Sequence, residues 1–312
     1  MAEANALLQM GAAAAVVFAA GACSFPFLHL PRRPRAAALL ALAIPVFLSP
    51  LLVCPQFTTH RFVVSLMSIM VGVKLYDLHR AVEAGPPPRA WAFLAYLPND
   101  CNLVLRRVGA HGRKGRRADA IALLWLVPIT IACVLAILAV WRVDWRPLPW
   151  AVEHCAKVMA ICAFMQWAPN IGASARRLMG IPASDFSGPF IAAATPAEFW
   201  RRWNMPAGRF MHDYIFVPAG GLRHPRRAVL AAFAINGLVH EYVLGIAAGR
   251  VLGLAFAFFL VQGLATAATM RLRPSGWARA LGIVLTLIFN LAASVLLMAC
   301  VDAVLPFYAQ RH

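Results

Sequence analysis

Eight apolar stretches, each near the length of a hydrocarbon-crossing helix, limit what this chain can become. A helix needs about 20 residues to cross roughly 30 Å of bilayer core. The stretches run approximately from Ala6 to Cys23, Ala36 to Cys54, Phe62 to Leu78 and Asp119 to Trp141, then from Trp150 to Ala168, Ala228 to Gly249, Leu252 to Met270 and Ala280 to Val301. Composition agrees: 62% of the 312 residues are hydrophobic and 13% are charged, against roughly 25% charged in soluble domains. A β-barrel would show short alternating segments instead. The expected fold class is all-α, a multi-pass transmembrane helical bundle of about eight spans, read as one domain over residues 1–312. The first stretch reads as a spanning helix and not as a removed leader.

The connections add interfacial or re-entrant elements. Gly85-Pro86-Pro87-Pro88 breaks any helix. Residues 89–108 are aromatic but contain Pro98-Asn99-Asp100, which is poor spanning material. Gly112 to Arg117 reads as a solvated basic loop, and Pro169 to Arg227 as a second long non-spanning section. Under eight spans, twenty-two of the 29 Lys and Arg fall on one side, against Arg61, Arg142, Arg146, Arg250 and Arg311 on the other. The positive-inside bias then puts both long connections in the cytoplasm and both termini outside it. The net charge of +17 fits that bias and anionic lipid, and it also suits an anionic co-substrate at the cytoplasmic face. No soluble basic domain exists to bind nucleic acid. Lys74 and Asp77 share a helix face and are expected to pair. The seven cysteines form no CxxC and read as packing residues.

The stretch from Phe199 to Gly249 holds the candidate chemistry. His240 falls near the middle of the sixth apolar run, where a polar group is costly and calls for a reason. A buried, neutral imidazole can accept a proton, so His240 suits general-base work. Asn236 lies one turn earlier on the same face and can touch the ring. Glu241 is rotated about 100° away. Gly237, Gly245 and Ala248 allow close helix approach. Upstream, Thr195 can cap a helix opened by Pro196. Aromatic residues interleaved with Arg201, Arg202 and Arg209 from there to Pro218 suit a helix in the headgroup plane. A bare membrane anchor would leave Asn204 unexplained.

Several motifs occur in a recognisable order: Asp185-Phe186-Ser187-Gly188-Pro189-Phe190, Phe199-Trp200-Arg201-Arg202-Trp203-Asn204, Tyr214 to Pro218, and Asn236 to Glu241. Together they resemble the wax synthase-like branch of the membrane-bound O-acyltransferase superfamily, most strongly over residues 185–249. Arg201 stands where that signature often has a small residue, and Lys74-Leu75-Tyr76 is a faint further echo. The resemblance implies transfer of a fatty acyl group from acyl-CoA, as co-substrate, to the hydroxyl of a lipophilic alcohol. A long-chain alcohol giving a wax ester leads. A sterol, diacylglycerol, glycan or specialised metabolite stays open as acceptor. His240 and Asn204 would be catalytic: His240 as base, Asn204 to polarise the carbonyl, stabilise the oxyanion or hold the CoA sulfur side. Asn236 and Glu241 would support them. Trp200, Arg201, Arg202, Trp203 and Arg209 would contact acyl-CoA. Neither a bound cofactor nor a metal is implied.

Competing classes account for less. A proton-coupled transporter explains buried ionisable residues but not the Phe199 to Asn204 segment. Di-iron enzymes need clustered histidines, whereas the nine here are dispersed. There is no HExxH and no GxSxG. Ala- and Arg-rich usage suggests a bacterial inner membrane, with the endoplasmic reticulum as the eukaryotic counterpart.

Overall fold

The computed structural model describes residues 2–107 and 115–309. Gly112, Arg113 and Lys114 of the expected basic loop, Val108, and Arg311 of the charge count lie outside the described residues. Every regular element among the described residues is helical. Helices stand at all eight expected places: α1 (Ala2–Cys23), α2 (Arg32–Leu48), α3 (Thr58–Ala84), α5 (Arg116–Arg142), α6 (Trp150–Leu178), α9 (Pro225–Ala248), α10 (Leu254–Thr269) and α11 (Gly276–Asp302). Among the described residues three short α-helices lie between them: α4 (Ala90–Tyr96), α7 (Pro196–Arg202) and α8 (Met205–Met211).

Six of the eight long elements are both long and apolar enough to cross a membrane by length and composition, and two depart from that pattern. The physical reasons differ for the other two. α10 has 16 residues, about 24 Å of rise against roughly 30 Å of hydrocarbon. α6 has 29 residues but buries Glu153, His154, Lys157, Gln166 and Asn170. α6 also continues through Pro169, ten residues past its expected end at Ala168. Proline there frees the carbonyl of Met165, because it has no N–H to donate. Ser187 Oγ donates to that carbonyl at 3.3 Å and to Gln166 O at 2.9 Å. Asn170 Oδ1 in turn accepts the backbone N–H groups of Phe186 and Ser187. The Asp185–Phe190 loop is thus docked on a helix that a membrane proline has opened.

Packing divides the bundle. Helices α1 to α4 share an apolar core that includes Val17, Leu28, Val64, Val71 and Phe93. α5 packs on α6, and none of the apolar window of α5 is buried, an exposure that suits a lipid-facing helix. α9 packs along α10 and against α3. Gly237 permits the first contact: a Cβ there would sit 3.2 Å from the Phe256 backbone.

The expected Lys74–Asp77 ion pair is not what forms. Both side chains are fully buried, yet each turns to other partners. Lys74 Nζ donates to the carbonyls of Tyr96, Leu97 and Asn99 at 2.6, 2.9 and 2.7 Å. Asp77 accepts the hydroxyls of Tyr96 and Tyr214 and the N–H of Leu105. The physical reason is that the segment after α4 runs beside α3 and offers more polar groups than one counter-ion could.

Candidate active site

A cavity of about 460 Å³ opens between α7, α8, the π-turn His212–Phe216, α9 and α10. His240 and Asn236 reach it from α9, Asn204 from the break between α7 and α8, and Phe259 and Thr266 from α10.

The environment of His240 fixes which nitrogen is free. Nδ1 lies 2.9 Å from the backbone carbonyl of Asn236. A carbonyl can only accept, so Nδ1 carries the proton and Nε2 keeps its lone pair. The ring rests on Phe259, with centroids 4.3 Å apart at 40°. Asn236 orients the imidazole through its main chain, not through its side chain, which lines the cavity separately.

The expected single headgroup helix is interrupted at Asn204. That residue takes φ 39° and ψ 61°, the one non-glycine positive φ among the described residues. Asparagine tolerates this left-handed region better than most side chains. Its Oδ1 accepts the N–H of Ala207 at 3.2 Å and caps α8. With the carbonyl oxygen so engaged, the Nδ2 amide is left as a free donor on a cavity-lining residue. The break is held from outside as well: Gly188 N–H donates to Arg202 O and Met205 N–H to Phe186 O. α7 starts as expected, with Thr195 Oγ1 accepting the N–H of Glu198. Phe190 is buried edge-on against Phe199 and Trp203, at 5.3 and 4.7 Å.

Trp200, Arg201, Trp203 and Arg209 also line the cavity. Burial, then the charge of Arg273, pulls Arg201 below the ordinary guanidinium range. Burial and Arg107 do the same to Arg209. Arg202 and Glu241 stand apart. Arg202 pairs with Glu198 and donates to the carbonyls of Pro189 and Ala192. Glu241 accepts the N–H groups of Leu252 and Gly253, both at 2.6 Å, and so anchors the start of α10.

Sequence reasoning did not single out several wall residues. Arg107 lines the cavity and, with Arg106, grips Asp213. Asp213 also accepts from His212 Nδ1 at 2.9 Å. Burial alone would raise the Asp213 carboxyl, but hydrogen bonds from Arg107, His212 and Arg106 outweigh it and hold the group below the ordinary carboxylate value. Phe233, Phe259 and Thr266 line the wall from long apolar runs, where no motif marks them. Trp200 Nε1 donates to Gln262 Oε1 at 2.9 Å, tying α7 to α10. Beside the main cavity, a second one of about 430 Å³ is rimmed by Arg223, Arg226, Arg227 and Arg271 at the adjoining ends of α9 and α10.

One base with a free lone pair, one amide donor and a cationic rim in an otherwise aromatic cavity suit acyl transfer to a hydroxyl. No curated protein matches the chain. Residues 148–301 match the family described as MBOAT, membrane-bound O-acyltransferase family, over a stretch that runs from the start of α6 almost to the end of α11 and holds both His240 and Asn204. That match supports the MBOAT superfamily for this integral membrane protein and, with it, membrane-bound O-acyltransferase activity.

Proposed function

We propose that the protein transfers a fatty acyl group from acyl-CoA to a lipophilic alcohol, and that the alcohol is long-chain, giving a wax ester. The observation that carries this reading is the pair of unused polar atoms, His240 Nε2 and Asn204 Nδ2, on residues lining one cavity. The alcohol oxygen attacks the thioester carbonyl while Nε2 takes its proton. Asn204 Nδ2 donates to the oxyanion of the tetrahedral intermediate. The carbon–sulfur bond then breaks, the ester carbonyl re-forms, and the proton on His240 passes to the departing sulfur. No acyl-enzyme and no metal enter the cycle.

Arg201, Arg209 and Arg107 on the cavity rim, with the neighbouring arginine-lined cavity, supply charge partners for the CoA phosphates. Trp200 and Trp203 give the donor arm apolar walls. Glu241 supports the site by anchoring α10, and Arg202 by fastening the loop ahead of α7. Under the eight-span topology the charge bias of the connections turns the arginine end to the cytoplasm, and a bacterial inner membrane suits the composition. The aromatic enclosure limits hydrolysis of the thioester.

The test uses purified protein in nanodiscs with radiolabelled palmitoyl-CoA and a panel of fatty alcohols, sterols and diacylglycerol. Wax ester made only with fatty alcohols supports the full reading. Ester formed on a sterol or diacylglycerol instead overturns the acceptor while keeping the reaction. No thioester consumption with any acceptor removes the acyltransferase reading and makes solute flux in proteoliposomes the next measurement.

A further inference from the structure

Thr266 is 8% exposed, lines the catalytic cavity from α10, and has a hydroxyl with no hydrogen-bond partner. Leaving a buried hydroxyl unpaired costs free energy, so such a group calls for an absent partner. The same helix shows the usual internal solution three residues on, where Thr269 Oγ1 donates to the carbonyl of Ala265 at 2.8 Å. Thr266 makes no equivalent bond. A threonine in a helix has two accessible χ1 wells, so its hydroxyl can swing to the cavity face without moving the backbone.

Its depth indicates what it would meet. Phe259 holds the His240 ring and marks the level of the reacting atoms. Thr266 lies seven positions further along α10, about 10 Å at 1.5 Å per residue. The displacement is toward the arginines, since the next residues, Ala267 and Ala268, line the cavity rimmed by Arg223, Arg226, Arg227 and Arg271. A ligand passing from the reacting carbonyl to the cationic end therefore passes Thr266 with a polar group needed at that distance. The pantetheine arm of a CoA thioester meets this requirement, because its outer amide lies at comparable reach from the sulfur. A fatty alcohol does not, since past its hydroxyl it is hydrocarbon. We propose that the Thr266 hydroxyl hydrogen-bonds the outer amide of the donor's pantetheine arm and sets specificity for CoA thioesters. The proposal rests on the acyl-CoA reading above.

The test compares wild type, Thr266→Val and Thr266→Ser with palmitoyl-CoA and with the palmitoyl thioester of N-acetylcysteamine, which keeps the inner amide and lacks the outer one. Valine is expected to raise KM for palmitoyl-CoA about ten-fold, the worth of one hydrogen bond, with the acceptor KM unchanged. Serine should restore it. The truncated donor should not distinguish valine from wild type, and the ligand-free valine variant should melt no lower than wild type. An active wild type whose palmitoyl-CoA KM is unaffected by valine overturns the proposal, and a lower melting temperature in that variant would identify a structural hydroxyl. A shift in acceptor KM, or an equal effect on the truncated donor, overturns it too. A wild type that forms no ester sinks the acyl-transfer reading itself, and Thr266 falls with it.

Discussion

Lys74 and Asp77 in the α1–α4 half and the polar residues around the α7–α10 cavity are treated in opposite ways. In the first, Lys74 and Asp77 are fully buried and fully used, each with three hydrogen-bond partners. In the second, His240, Asn204 and Thr266 each keep an atom without a protein partner. Burial of an ionisable side chain is therefore not what marks a site in this molecule. Lys74 is less exposed than His240, yet its ammonium ties the segment after α4 to α3. What distinguishes the cavity is that three residues with hydrogen-bonding capacity left over line one space, whereas Ser24 Oγ, Thr130 Oγ1 and Asn290 Nδ2 are unpaired outside it. That capacity is costly to hold idle and useful only when a ligand takes it up.

Substitutions can break this contrast, beginning with the largest effect. His240→Gln should lower ester formation by about 10²–10⁴-fold, the usual worth of a general base, with unaltered melting; the radiolabel assay and a thermal scan together check it. Asn204→Asp comes next. Aspartate keeps the left-handed backbone and the α8 cap but removes the Nδ2 donor, so turnover should fall about 10²–10³-fold in a folded protein. If Asn204→Asp turns over normally while Asn204→Ala fails to fold, the residue serves only the break between α7 and α8.

Lys74 should respond in the reverse sense. Lys74→Met strands the carbonyls of Tyr96, Leu97 and Asn99 and should cost about 3 kcal/mol of stability, read as a lower midpoint in detergent. The protein that remains folded should retain its turnover per molecule. A Lys74 variant with normal melting and lost turnover would erase the contrast between the two halves.

The smallest effect concerns pH. The Asp213 carboxyl is held below its ordinary value, chiefly by Arg107 against the opposing effect of burial. A carboxylate lowered in this way adds stability that is complete above the unfolded value and is lost as pH falls through the folded one. The clamp on the π-turn should thus be constant from neutrality to about pH 5 and weaken only below about pH 4. Melting temperatures across that range should show an acid limb in wild type that Asp213→Asn lacks.

Much of this architecture is legible from residue order alone. Hydrocarbon-length apolar runs placed all eight long helices, because a bilayer leaves a backbone little choice but to satisfy itself within each segment. Thr195 and Pro196 announced the start of α7 by local chemistry, and both His240 and Asn204 stood out as polar groups in unsuitable surroundings. Less legible was anything settled by distant partners. α6 runs on through Pro169 because Ser187 takes up the freed carbonyl, and no local signal in α6 says so. Lys74 and Asp77 looked like a pair at helical spacing until the segment after α4 and Tyr214 supplied better partners. The sequence by itself determined the membrane-spanning class and the helix order, since both follow from local composition and spacing, and it singled out His240 as the candidate base. Only the tertiary structure decided that Asn236 orients His240 through its carbonyl, that Asn204 presents its amide donor, that Glu241 and Arg202 stand outside the cavity, and that Thr266 stands in its wall. Those outcomes depend on which groups meet across helices far apart in the chain, and hydrogen-bond satisfaction is a property of that meeting.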